Sequence, residues 1–312
     1  MKTKVIYGLV IVLLFCACDR RKITRTDTET SGYAVIAGDE CFLPIIEEEK
    51  KVFTGLNPEA NINVIYTGEK ELFHLLTDDS VRLIVAAREL TDAEKKIIEG
   101  RNLSIRTQKI AKDGIALIIH KENMDSLINT DLLKDIMTGR ILSWSELNKQ
   151  SELGNIKVVF DHSNSSTLRF VHERITDGAP LFSGIKALES NPEVIRYVMN
   201  TPNALGIIGV NWISNPNDST QLSFDESIRV MSVGTSTEIN KDNTYKPYPV
   251  FLNNGSYPLT RDVFVILTDL RETLPVGFVK FIAGDAGQRI ILKAGLVPAT
   301  RPTREIYLKE DF

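Results

Sequence analysis

The sequence predicts a two-lobed α/β fold in which each lobe is a sheet flanked by helices and crossing strands join the two. Three observations lead there. Short apolar, β-rich runs alternate with amphipathic helical stretches from Gly32 onward. A second alternating section follows the strand DGIALIIH and repeats the logic of the first. After a loop-rich stretch from Asn215 to Asn254, the strand RDVFVIL and two helices return, as a chain rejoining its first lobe would.

The chain opens with Lys2 and Lys4 ahead of an apolar run from Val5 to Phe15, too short to span a bilayer comfortably. Residues 1–17 therefore read as a signal peptide. The run ends in Phe15-Cys16-Ala17-Cys18, which is similar to the lipobox of bacterial lipoproteins and implies lipidation at Cys18. Phe15 stands where such boxes usually carry Leu, and cleavage before Cys16 is the alternative; a plain secretory peptide or a single membrane anchor is another. All versions export the chain, and the expected product is a periplasm-facing lipoprotein that touches the membrane only through its lipid.

Residues 18–31 are polar apart from Ile23 and read as a flexible tether. The remaining length suits two domains, with lobe I formed by 32–114 plus 255–312 and lobe II by 115–254. In lobe I the strands YAVIA, NINVIY and VRLIVA alternate with the helices PIIEEEKKVFTGL, EKELFHLLTDD and DAEKKIIEG. In the first of these helices Ile45, Ile46, Val52 and Phe53 form the predicted core face, and Glu47, Glu48, Glu49, Lys50 and Lys51 the solvated one. Lobe II carries helix TDLLKDIMTG, strand NIKVVF, helices SSTLRFVHERI and PEVIRYVMN, and strand LGIIGV. The crossings fall near Lys112 to Ile115 and Tyr257 to Arg261.

A formal charge of −4, more negative once the two leader lysines leave, argues against nucleic acid or an anionic membrane surface as a partner. Cys41 is the one cysteine of the folded part, so no disulfide framework is expected. His74, His120, His162 and His172 form no metal-type pair at three- or four-residue spacing with another His or Cys. Asp161, His162 and Ser165 hint at a hydrolytic triad, yet no G-x-S-x-G elbow occurs, nor any phosphate loop of nucleotide enzymes. Neither a metal, a cofactor nor an enzymatic activity is expected.

Several segments taken in order carry a resemblance: GDECFLP, DGIALIIHKEN, LLKDIMTGRILSWSEL, FDHSNSSTLRFV, NALGIIGV, YPLTRDVFVIL and FIAGDAGQRIILKAGLVPA. Over roughly residues 33 to 300 the chain resembles the phosphate-binding proteins of ABC-type phosphate importers, within the type II periplasmic binding protein fold. The resemblance implies a mixed sheet in each lobe, a monomer, inorganic phosphate as the ligand and a membrane permease as partner. The rival readings are another oxyanion in the same fold, or a sensor or partner-docking lipoprotein with a vestigial site.

Asn164-Ser165-Ser166-Thr167 lies between a strand and a helix, where free N–H groups, the positive dipole end and hydroxyl donors suit a tetrahedral oxyanion. An ordinary N-cap explains the same string. The loop Asp39-Glu40-Cys41-Phe42 opens another helix. The resemblance puts Cys41 where the family has a hydroxyl ligand and the Phe42 N–H on the anion; a small buried residue is the alternative for Cys41. It also implies a hydroxyl at Thr67. At two further places the family's charges stand exchanged, with Arg88 at the family's Asp and Asp161 at its Arg. Arg88 is thus expected to donate to the anion, and Asp161 to accept from it or pair with Arg88; the alternative has Arg88 capping a helix or pairing with Glu89 or Glu94. Arg169 is placed to fold back on the anion or to face solvent. The acceptor for a proton of hydrogen phosphate is Asp161, Glu40 or Asp39.

Overall fold

The computed structural model describes residues 27–214 and 223–301; the expected signal peptide, Cys18 and most of the tether lie outside them. Residues 27–31 are docked, since Asp27 Oδ2 accepts from the Leu274 N–H at 3.3 Å and Glu29 pairs with Lys280. The last residues of the stretch expected to be a tether, 27–31, thus lie against α9 (Leu274–Ala283).

The elements in chain order are β1 (Gly32–Asp39), α1 (Leu43–Leu56), β2 (Ala60–Thr67), α2 (Glu69–Thr77), β3 (Leu83–Ala86), α3 (Asp92–Gly100) and β4 (Arg106–His120). There follow β5 (Leu127–Asn129), α4 (Thr130–Met137), α5 (Trp144–Leu147), β6 (Lys157–Phe160), α6 (Ser166–Arg174), β7 (Lys186–Ala187), α7 (Asn191–Met199) and β8 (Ala204–Gly209). The chain closes with β9 (Ile228–Val230), β10 (Ser232–Gly234), α8 (Pro249–Asn254), β11 (Thr260–Leu267), α9 (Leu274–Ala283), α10 (Asp285–Lys293) and β12 (Val297–Pro298).

The main sheet runs β2-β1-β3-β11-β4-β8-β6-β7, and β4 is the strand that crosses between the lobes. Residues 106–114 of β4 pair antiparallel with β11, and residues 115–120 pair antiparallel with β8 and β9. The parallel β1, β2 and β3 on one side, and the parallel β6, β7 and β8 on the other, make each half a mixed sheet. The fifteen-residue length of β4 follows from its sequence: Ile115 to Ile119 are all buried because helices cover both faces, so the run is continuously apolar rather than alternating.

One packing expectation is corrected. In α1 the inward face is Ile45, Ile46, Glu49 and Phe53, so Glu49 leaves the predicted charged face for the core while Val52 is only half-buried. Both Glu49 carboxylate oxygens are buried without a hydrogen-bond partner. The spacing of four between Ile45, Glu49 and Phe53 puts it on the core stripe whatever its chemistry.

The parallel strands β1, β2 and β6 all run into helices at their carboxyl ends, which brings three helix N-termini to the junction of the two halves. Among the described residues, no helix is long and apolar enough to cross a membrane.

Candidate functional site

The junction is built around Arg261, which enters from β11 and is only 6 % exposed. Its Nε donates to Asp113 Oδ2 at 2.9 Å, and Asp113 is its register partner on β4. That pair uses one edge of the guanidinium and fixes the plane of the rest. Nη1 donates to Ser166 Oγ at 2.9 Å and Nη2 to Cys41 Sγ at 2.8 Å, and the guanidinium stands 5.0 Å from the Phe42 ring centroid. The two terminal nitrogens thus meet neutral groups at the mouths of two helices, one from each lobe.

The lobe I mouth is the turn from Glu40 to Phe42 that leads into α1. Asp39 caps it by accepting from the Cys41 N–H at 2.9 Å. The Cys41 carbonyl is pinned from the turn after β8, accepting from Asn211 Nδ2 at 3.0 Å and Trp212 Nε1 at 2.9 Å. The lobe II mouth is the start of α6, capped by Ser165, whose Oγ accepts from the Leu168 N–H at 3.1 Å. Ser166 and Thr167 are the first two helical residues, so their N–H groups precede the first intrahelical bond and point out of the helix end. Cys41 Sγ and Thr167 Oγ1 lie 3.1 Å apart, a direct contact between the two mouths.

Burial sets the charge states. The Cys41 thiol is pushed up to about 12 by burial, so it stays protonated and neutral, accepting from Arg261. Asp39 is pushed up to about 6 by burial, with the Arg261 charge opposing the rise. Asp161 is raised by burial as well. His162 is raised, first by its hydrogen bond to Glu40.

The expected residues fall in three places. Cys41, Phe42, Ser165, Ser166 and Thr167 converge on Arg261 or on the helix mouth beside it, and Thr67 is register partner to Asp39 on β2. Arg88 and Arg169 do not join them, and Arg88 does not pair with Asp161. Arg88 donates from Nη1 and Nη2 to Glu94 at 2.8 and 2.9 Å and from Nε to Glu69 at 3.2 Å, with its guanidinium carbon 3.5 Å from the Phe73 ring centroid. Of the alternatives weighed for Arg88, pairing with Glu94 is the arrangement found. Arg169 Nη2 donates to Glu69 Oε2 at 3.0 Å and its Nη1 to Glu173 Oε2 at 2.7 Å. The two arginines thus grip Glu69 from opposite lobes, in the wall of a groove of about 920 Å³.

Inside that wall the lobes meet backbone to backbone. The Glu69 N–H donates to the Asn164 carbonyl at 3.0 Å. A Cβ on Gly68 would lie 2.7 Å from His162 Cε1 and 3.0 Å from the Asn164 carbonyl, so any side chain there would crowd the close approach. Glu40 and Asp161 stand with His162 at the edge of the junction, His162 Nε2 lying 3.0 Å from Glu40 Oε2.

Sequence reasoning assigned Arg261 to a crossing strand and gave it no part in the site. Several charges occur on the crossing strands, and no sequence signal separates Arg261 and Asp113 from Lys112 and Asp262 beside them; only their pairing and burial in the sheet do.

A buried arginine thus stands between two helix N-termini at the junction of a two-lobed α/β fold. The model of the PBP superfamily domain matches residues 24–286, and the chain belongs to that family. It is 24 % identical to the phosphate-binding protein PstS of Staphylococcus epidermidis over 292 residues, covering 91 % of this chain and 85 % of that protein. It is 23 % identical to PstS of Staphylococcus aureus over 310 residues, covering 97 % and 89 %. Among solved structures, a phosphate ABC transporter substrate-binding protein with bound phosphate from Clostridium perfringens aligns with a TM-score of 0.72 at 24 % identity, over 86 % of this chain and all of the other. An ABC-type phosphate transport receptor from Vibrio cholerae aligns at 0.63 and 18 % identity, over 86 % and 100 %. These likenesses establish the type II periplasmic binding protein fold.

Proposed function

We propose that this chain captures inorganic phosphate between its lobes and delivers it to an ABC-type membrane importer. The observation that carries the reading is the Arg261 guanidinium, oriented by Asp113 and presenting its other two nitrogens to Ser166 and Cys41. An oxyanion at the two helix mouths would exchange those weak neutral partners for charge-assisted hydrogen bonds. It would also receive the leading N–H groups of α6 and the N–H of Phe42.

Selectivity for phosphate over sulfate needs an acceptor, because hydrogen phosphate donates a proton and sulfate at neutral pH does not. Asp39 is the best placed of the three candidates: it is buried beside Arg261 and next to the Ser166 hydroxyl, between the two helix mouths. Glu40 and Asp161 lie nearer His162. The Gly68–Asn164 seam supports a small inorganic ligand, since a substituent on the anion would have to part the Glu69–Asn164 hydrogen bond to reach the outer groove.

Binding rather than catalysis fits this arrangement, and the lobes act by closing around the ligand. The leader reading adds an anchor at Cys18, tested by Cys18→Ser, which should release the protein from the membrane fraction. The main test is calorimetric titration of the purified protein with phosphate and, separately, sulfate. Phosphate should bind at micromolar concentrations or below while sulfate does not; binding of neither supports the partner-docking reading instead.

A further inference from the structure

Glu40, Asp161 and His162 form a cluster that anion capture leaves unexplained. One ligand atom from each lies within 4.8 Å of the other two, with Glu40 coming from lobe I and Asp161 and His162 from the end of β6 in lobe II. The ion pair between His162 and Glu40 accounts for those two side chains. It does not account for Asp161, which is 1 % exposed. Its Oδ1 lies outside hydrogen-bond distance of any partner, its Oδ2 has a 3.4 Å contact from Asn191 Nδ2, and the Ser165 side chain and the His162 N–H lend the carboxylate further, weaker support. Burying a carboxylate with one oxygen left unmatched is costly, and placing a second carboxylate beside it adds repulsion.

We propose that Glu40, Asp161 and His162 are the protein ligands of a divalent transition-metal site that ties the two lobes together, with zinc the ion their donor set fits. One imidazole nitrogen and two carboxylate oxygens make a three-ligand set that leaves one tetrahedral position open. Tetrahedral donors about 2.0–2.1 Å from zinc stand roughly 3.3 Å apart, so modest side-chain rotation closes the cluster. The metal would stand between His162 Nε2 and Glu40 Oε2, now 3.0 Å apart, and add a strong partner to the buried Asp161 carboxylate. Because the ligands come from both lobes, the ion stabilises the closed arrangement by its own binding free energy. The site stands or falls without phosphate, since its readout is metal binding alone.

The test is a calorimetric titration of the chelator-treated full chain with Zn²⁺ in a weakly coordinating, phosphate-free buffer near neutral pH. Co²⁺ replaces Zn²⁺ in a parallel sample for its visible absorption. The expected result is saturable binding of one equivalent with proton release and a tetrahedral Co²⁺ spectrum. His162→Gln and Glu40→Gln, both at partly exposed positions that leave the core intact, should each weaken binding roughly 10- to 100-fold or more. His74→Ala, at an exposed histidine, should leave it unchanged. Absence of one-equivalent binding, or equal affinity in H162Q, E40Q and the parent chain, overturns the proposal.

Discussion

Arg261 and Asp113 face each other as register partners on β11 and β4, joined Nε to Oδ2 at 2.9 Å with both side chains buried. The pair sits where the chain passes between lobes, so the charge of the anion site is anchored in the hinge region and not in either helix mouth. A hinge motion therefore changes what Arg261 meets without changing how it is held. In the arrangement described, Ser166 comes from one lobe and Cys41 from the other, and both reach the same guanidinium.

The seam outside the cradle makes a distinct prediction. Glu69 is held by Arg88 from its own lobe and by Arg169 from the other. Replacing Glu69 with Gln removes the charge that couples them while leaving each arginine its other carboxylate, Glu94 or Glu173. The closed form should lose on the order of 1 kcal/mol, a several-fold weaker phosphate affinity. Small-angle scattering should show a larger radius for E69Q without phosphate; unchanged affinity and radius would remove Glu69 from the closing mechanism.

Gly68→Ala tests the same seam sterically. The new Cβ meets the Asn164 backbone carbonyl, which cannot rotate away as the His162 ring can. Phosphate affinity should fall by about tenfold or more, with thermal stability nearly unchanged because the contact lies between lobes rather than within one.

Cys41 is a thiol where a hydroxyl would donate better. Since burial holds it protonated, Cys41→Ser keeps a neutral donor of smaller size next to Arg261 and Thr167. The variant should bind phosphate at least as tightly as the parent chain, measured by calorimetry. Complete loss of binding would give the sulfur a role that its hydrogen bonds do not explain.

Glu49 supplies the pH dependence. Burial, with a contribution from the Glu48 charge, pushes its carboxyl up to about 8 from an ordinary 4.5. The folded chain holds that proton after the unfolded chain has lost it, so stability falls as pH rises from about 4.5 to about 8 and then levels. The full loss is bounded on the order of 5 kcal/mol. Glu49→Gln should flatten this part of the profile and raise the melting temperature most at pH 8 to 9. Parallel pH profiles for the two proteins would contradict the assignment.

The order of strands and helices was legible in the sequence because periodicity reports burial, and the helix mouths were legible because capping residues cluster there. Glu49 was misplaced by its charge, although its spacing from Ile45 and Phe53 put it on the core face. Arg88 was misplaced for a related reason: its position after β3 pointed to the junction, but Glu69 and Glu94 hold it at the outer wall. Arg261 was missed because its meaning depends on Asp113, which lies far away in sequence and opposite in the sheet. The cluster of Glu40, Asp161 and His162 was invisible to spacing rules, since its ligands come from two lobes.

The measurement that tests the central claim most directly is phosphate titration of Arg261→Lys beside the parent chain, with thermal melts of both. Lysine keeps a charge near Asp113 but cannot hold Asp113 and reach toward Ser166 and Cys41 together. The account predicts that the variant remains folded and that its phosphate affinity falls roughly 100-fold, which is close to 3 kcal/mol. A folded R261K protein that binds phosphate as the parent does would contradict it.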